Sequence, residues 1–201
     1  MSSYSSDLEK GCLEGSAVQD DVDLVHNANS GDRDAFGMLV CRYQNRLFNT
    51  MYHIAGNREE AEDVVQEAFV QAFLKLDTFR QKSAFYTWLY RIAFNIFVNR
   101  KRRKKVQTSL ETIRADSGQE PIQNGTASNP QEHLLQKERA VEVHRALQRL
   151  SQEHRSILVL REMENCCYDT ISEILHLPVG TVRSRLHRAR NHLRDELTPL
   201  L

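Results

Sequence analysis

Five arginines and no acid lie between residues 181 and 194. A guanidinium donates in a rigid fork that fits a guanine O6/N7 edge or a phosphate, so such a stretch is suited to nucleic acid. Spacing sharpens the reading. Val182, Leu186, Ala189, Leu193 and Leu197 recur at helical intervals as one apolar stripe, leaving Arg183, Ser184, His187, Arg188 and Asn191 on the opposite face. A second cationic run, Arg100 to Lys105, holds six consecutive charges and suits a helix end that meets phosphate, with a solvated helix end as the alternative.

Aromatic chemistry clusters just upstream. Phe79, Phe85, Tyr86, Trp88, Tyr90 and Phe94 crowd together with Arg80, Lys82 and Arg91. Rings beside cations are how single strands are stacked and held, but Phe85, Trp88 and Leu89 share an apolar helix stripe. Most of these rings are therefore expected in the core. Asp63, Gln66, Glu67 and Gln71 form an acidic polar face that would repel nucleic acid and suit a basic protein partner, although solvation is the default.

Enzyme chemistry finds little support. There is no Gly-rich phosphate loop, no H-E-x-x-H and no G-x-S-x-G, and the eight histidines are scattered. Cysteines 12, 41, 166 and 167 form no C-x-x-C pair, so free thiols in a reducing compartment are expected, with no metal and no cofactor. No small-molecule substrate is suggested.

The elements that position these groups read as helices. The 201 residues contain only eight Gly and four Pro, which argues against a turn-rich all-β fold. Ala61, Val64, Val65, Ala68, Phe69, Ala72, Phe73 and Leu76 follow helical spacing, with Glu59, Glu60, Glu62 and Asp63 complementing the dipole at its start. A long helix is expected from about Ala84 through the cationic run. Gly31 reads as a helix C-cap and Asp32 as the next N-cap. Tyr168–Leu175, a turn at His176-Leu177-Pro178, and Val179–Leu197 reproduce the helix-turn-helix plan.

Charge divides the chain further. Residues 22–105 hold 14 basic against 9 acidic residues and 133–201 hold 11 against 9, whereas 1–21 and 106–132 are net acidic. The expectation is all-α: a disordered acidic tail over 1–21, a helical domain over 22–105, a flexible linker over 106–130 and a second helical domain over 131–201. No apolar run approaches the ~18 residues of a membrane span, and no apolar leader follows Met1, so a soluble cytoplasmic protein is expected.

Glu62-Asp63-Val64-Val65-Gln66-Glu67-Ala68-Phe69 precedes Leu76-Asp77-Thr78-Phe79-Arg80 and Ser83-Ala84-Phe85-Tyr86-Thr87-Trp88-Leu89-Tyr90-Arg91-Ile92-Ala93-Phe94-Asn95. Much later comes Leu177-Pro178-Val179-Gly180-Thr181-Val182-Arg183-Ser184-Arg185-Leu186. This order resembles bacterial RNA polymerase sigma factors of the sigma-70 family, extracytoplasmic-function (ECF) group, most like the sigma-E/AlgU type. The likeness covers 22–105 as region 2 and 131–201 as region 4.

The resemblance implies an initiation factor for a stress or envelope regulon. It implies that Asp63, Gln66, Glu67 and Phe69 dock on the β′ clamp helices of core polymerase, whose β flap is a further partner. Phe79, Arg80, Ser83, Phe85, Tyr86 and Trp88 would read the minus-10 element, with a flipped base lodged near the loop and Asn95. Arg91, Arg100, Arg102 and Arg103 would hold the backbone there. Thr181, Arg183, Ser184, His187 and Arg188 would read the minus-35 element. An anti-sigma factor wedged between the regions is implied as well.

Some positions depart from the pattern. His187 stands where sigma-E factors carry an aromatic. Cys167 takes an N-cap place that serine fills better, at a cost of ~1 kcal/mol. Two readings from other classes stay open: an autonomous helix-turn-helix regulator, with 60–105 as a dimerisation or ligand domain, and a DNA-modifying enzyme.

Overall fold

The computed structural model describes the backbone of residues 14–81, 83–108 and 130–198, and side chains over 21–81, 83–104 and 139–198. Among the described residues every regular element is helical. Four α-helices build the N-terminal half: α1 (Glu14–Asn29), α2 (Arg33–Ala55), α3 (Arg58–Leu74) and α4 (Phe85–Thr108), with a 3₁₀ turn at Leu76–Thr78. Local chemistry sets the boundaries. Gly31 takes φ 101°, and the Asp32 carboxylate accepts from the amides of Asp34 at 2.9 Å and Ala35 at 3.2 Å. The Asn57 side chain does the same for Glu60 at 2.9 Å.

Leu39, Leu47, Met51 and Ile54 of α2 bury against Ala61, Val64, Ala68 and Ala72 of α3 and Leu89, Ala93 and Phe97 of α4. The small residues of α3 let the helices approach closely. The C-terminal half stacks α5 (Pro130–Arg149), α6 (Gln152–Leu158), α7 (Tyr168–Leu175) and α8 (Val179–Leu197) around Leu147, Ile157, Leu160, Ile171, Ile174, Val182 and Leu186. Between α6 and α7 the helix widens into a π turn at Val159–Met163, closed by the Glu164 amide donating to the Val159 carbonyl at 3.1 Å.

Two expectations need correction. Helix α1 starts at Glu14, inside the stretch expected to be disordered. The last acid of that stretch explains the difference: Asp21 is 6% exposed, pairs with Arg42 at 2.6 Å and accepts from the Tyr43 hydroxyl. That tertiary anchor has no local signature. The remainder of the tail, residues 1–13, lies outside the described residues. Helix α4 runs to Thr108, so the cationic run is internal to a helix and spreads around it. The expected linker lies outside the described residues over 109–129.

The two halves share one continuous apolar cluster rather than standing apart. His144 of α5 stacks on Tyr52 of α2 with centroids 4.5 Å apart and planes 8° from parallel. Arg155 acts as a common cap, donating to the carbonyls of Ile54 (3.0 Å), Leu147 (2.9 Å), Gln148 (2.9 Å) and Leu150 (3.1 Å). It thereby satisfies orphan carbonyls at the ends of two helices from different halves. Gly56 takes φ 73°, a conformation that other side chains adopt only with strain, and an added Cβ would also displace the Gln148 side-chain amide, so glycine is favoured at this corner.

Burial, then the charges of His53 and Arg155, push the His144 imidazole down to about 4. His53, also lowered by burial, faces it with ring nitrogens 3.4 Å apart. An imidazole lowered on folding leaves the unfolded chain the better proton acceptor below about pH 6.5, so stability present above that value is lost as pH falls. Between pH 7 and pH 5 denaturant titrations are expected to show a loss of about 1–2 kcal/mol, and His144→Gln should flatten most of that slope.

Candidate nucleic-acid and partner interfaces

The helix-turn-helix is built by α7 and α8. Helix α7 ends on His176, which takes φ 52°, and the Ser172 hydroxyl donates to the Leu177 carbonyl to tighten the turn. Pro178 then opens α8 with a φ of −58° that suits a helix start. Val182, Leu186 and Ala189 are buried, which turns Arg183, Ser184, His187 and Arg188 to the outside and leaves Thr181 half-buried beside them. Gly180 is exposed, and a Cβ there would meet open space. Packing within the chain does not require that glycine.

The five arginines sort themselves by face. Arg185 pairs with Glu153 at 2.9 Å, Arg190 with Glu162 at 2.6 Å and Arg194 with Asp195 at 3.7 Å. Arg183 and Arg188 have no carboxylate within ion-pair distance among the described residues. The outward face thus presents unneutralised guanidinium groups. Arg183 lies 5.8 Å from the Tyr168 ring centroid, and Asn191 contacts His187 at 3.3 Å.

At the head of α7 the N-cap is Cys167, and its side chain makes no cap hydrogen bond to the backbone of the first turn. Its sulfur instead meets the Thr170 hydroxyl at 3.1 Å, and this contact lowers the thiol below the usual range. The neighbouring Cys166 thiol is pushed up to about 11, chiefly by burial.

The aromatic block behaves as a core. Phe85, Tyr86 and Trp88 are at most 9% exposed, and Phe79 packs edge-on against Phe85 with centroids 5.7 Å apart. These rings pack on one another rather than forming an open stacking platform. Arg80 and Asn95 are exposed, whereas Ser83 and Arg91 are half-buried. Arg91 faces Glu173 of α7 at 3.9 Å. Burial, then the charge of Glu164, holds the Tyr86 phenol well above its ordinary range.

The cationic run divides around α4. Arg100 forks onto Asp63 at 2.9 Å and Glu67 at 2.7 Å, while Lys101 and Lys104 reach Glu60, a carboxylate 7% exposed, at 2.9 and 3.4 Å. Arg102 and Arg103 remain exposed with no carboxylate partner among the described residues. The acidic face of α3 is therefore largely neutralised by α4. Gln66 stays exposed, but Phe69 is 8% exposed, and its ring belongs to the interior.

Sequence periodicity missed an apolar patch. Phe73, counted into the buried stripe of α3, is 47% exposed, and Met38, Val70 and Leu74 are 56%, 54% and 67% exposed. Phe36 covers only the edge of Phe73, at 5.0 Å. Val70 and Leu74, four residues apart, both fall off the stripe, and that mismatch was the local signal. Such a patch beside Asp63, Gln66 and Glu67 marks an interaction face.

A helix-turn-helix with an unneutralised outward face, joined to a helical bundle with a patch of exposed apolar side chains, defines a modular transcription protein. Two family models match it: Sigma-70 region 2 over residues 39–106 and Sigma-70, region 4 over 140–193. The RNA polymerase sigma-H factor of Pseudomonas aeruginosa is 37% identical over 91% of this chain and 96% of its own. The ECF RNA polymerase sigma-E factor of Escherichia coli K12 is 37% identical over 89% and 94%. The chain belongs to the sigma-70 family, extracytoplasmic-function group.

Solved structures agree. The sigma factor RpoE of Bartonella quintana, in complex with the anti-sigma factor NepR, aligns with a TM-score of 0.64 at 27% identity, over 81% of this chain and 96% of that one. CnrH in complex with the cytosolic domain of CnrY aligns at 0.63 and 26% identity, over 90% and 98%. Among the described residues no helix is long and apolar enough to cross a membrane.

The N-cap suggests a direct check. Cys167→Ser supplies an oxygen acceptor for the first-turn amides of α7, and it is expected to stabilise the chain by about 1 kcal/mol in denaturant unfolding.

Proposed function

We propose that this protein directs core RNA polymerase to promoters by reading the minus-35 element with α8 and the minus-10 element with the α4 end of the N-terminal half. The observation that carries this is the sorting of arginines on α8. Three are neutralised on the flanks, and Arg183 and Arg188 point outward beside Ser184 and His187. Arginine held outward on a recognition helix suits guanine edges and phosphates, with Thr181 at the helix start.

Region 2 supplies the second contact. Arg80, Ser83 and Asn95 line the loop and helix around the half-buried Phe79 and the buried Phe85, Tyr86 and Trp88, and this arrangement suits a base taken out of the stack. Arg91, Arg102 and Arg103 suit the backbone. Arg100 is committed to Asp63 and Glu67, so its part is to shape that acidic face rather than to hold phosphate.

Core polymerase docks on α3 in this reading. Gln66, Asp63 and Glu67 supply the polar contacts, and exposed Val70, Phe73 and Leu74 supply the apolar ones. Phe69 supports them from beneath. Region 4 meets the β flap. An anti-sigma factor that covers both halves is a further partner, in keeping with the two solved sigma complexes. The protein acts in the cytoplasm, where the polymerase is, and carries out no chemistry of its own.

Run-off transcription from a sigma-E-like promoter with purified core enzyme tests the reading. A specific transcript that requires this chain is expected. Arg183→Ala and Arg188→Ala should each weaken minus-35 recognition by about 1–3 kcal/mol, or roughly ten- to hundredfold at limiting protein. Asp63→Ala and Phe73→Ser should instead reduce the affinity for core. Specific DNA binding without core, and no transcript with it, would identify an autonomous regulator.

A further inference from the structure

Two side chains on the outward face of α8 have their hydrogen-bonding roles set from within the helix. The Ser184 hydroxyl donates to the Thr181 carbonyl at 3.1 Å, so its oxygen shows only lone pairs to a partner. Further along the same face, the Asn191 amide nitrogen lies 3.3 Å from His187 Nε2. An amide NH2 can only donate, so a neutral imidazole accepts at Nε2 and carries its proton on Nδ1. Asn191 is half-buried and His187 exposed, so the deeper member of the pair fixes the outer one. Nδ1 itself meets no partner among the described residues.

This pair departs from the sigma-E pattern, in which an aromatic stands at the His187 position. A hydrocarbon ring offers a base edge no directed donor, whereas an imidazole held in one form does. In the major groove guanine shows acceptors at O6 and N7 and no donor, and cytosine shows only the N4 donor. A free imidazole samples both tautomers, and each form suits the opposite edge. Without a residue that fixes the proton, discrimination between the two bases averages out.

We propose that Asn191 is a positioning residue for minus-35 recognition: it holds His187 in the Nδ1–H form, which presents a donor to the groove and selects guanine at the base pair facing it. This rests on the minus-35 reading given above. Ser184, with its proton committed to Thr181, supplies an acceptor on the same face, while Arg183 and Arg188 supply further donors. The face is thus a fixed pattern of donors and acceptor rather than a cationic surface alone.

The test uses holoenzyme assembled from the full chain and core polymerase. Promoter duplexes carry each of the four base pairs in turn at every minus-35 position, and competition binding gives the preference at each. The wild type is expected to prefer guanine to cytosine about five- to tenfold at one position, the discrimination of a single hydrogen bond. His187→Phe should lose that preference, and Asn191→Ala should reduce it to about twofold or less. In Asn191→Asp the carboxylate can only accept. At about pH 8.5, where the imidazole is neutral, the proton then moves to Nε2 and Nδ1 becomes an acceptor. The preference should pass to cytosine or adenine, whose exocyclic amines donate. NMR of isotope-labelled histidine in the full chain reads the same change of tautomer. A merely structural role for Asn191 would weaken binding without exchanging one base preference for another.

A guanine preference that persists in Asn191→Ala or Asn191→Asp overturns the positioning role. So does a wild-type His187 protonated on Nε2, or the lack of any position whose preference follows His187. Arg183→Ala separates this from failure of the minus-35 reading. If that variant loses minus-35 recognition while the Asn191 variants keep the wild-type preferences, this inference alone falls. If no substitution on α8 alters any minus-35 preference, the helix does not read the element and both readings fall.

Discussion

A carboxylate withdrawn from water must find a cation, because the desolvation cost is several kcal/mol without one. Asp21, Glu60 and Glu164 are the described acids held in this way, and each joins segments far apart in the chain. Asp21 ties α1 to α2 through Arg42 and Tyr43. Glu60 ties α3 to α4 through Lys101 and Lys104. Glu164 ties the C-terminal half to α2 through Arg46. Apolar burial drives the helices together, and these pairs select which faces meet.

The same bookkeeping decides which cations remain for an external partner. Arg100, Lys101 and Lys104 are drawn to α3, and Arg185, Arg190 and Arg194 to neighbouring acids. Arg102, Arg103, Arg183 and Arg188 are left facing outward. A count of basic residues would have treated both sets alike. Only the outward set retains a charge that a phosphate can meet without first breaking an internal pair.

Helix α2 is the element through which the halves communicate. One side packs on α3 and α4, and its C-terminal turn is capped by Arg155 from the other half. The stacked Tyr52 and His144 and the glycine corner at Gly56 fix the approach of α5. Polar contacts accompany the apolar ones along this face, from Arg155 and Gln148 near α5 and α6 to Glu164 near Tyr86.

Periodicity and capping chemistry determined, from sequence alone, that the chain is helical. Gly31, Asp32 and the span of α8 were legible because each rests on neighbours within four residues, and that range is what local reading covers. The residue order through Asp63–Phe69, Ser83–Asn95 and Leu177–Leu186 likewise carried the family. The early start of α1 and the exposure of Phe73 were not legible, nor was the inward turn of Glu164. Each depends on what packs alongside: Arg42 for Asp21, the lack of cover beyond Phe36 for Phe73, and Arg46 for Glu164. Tertiary structure alone decided these, because a side chain's partner across the fold leaves no trace in the spacing of its own helix.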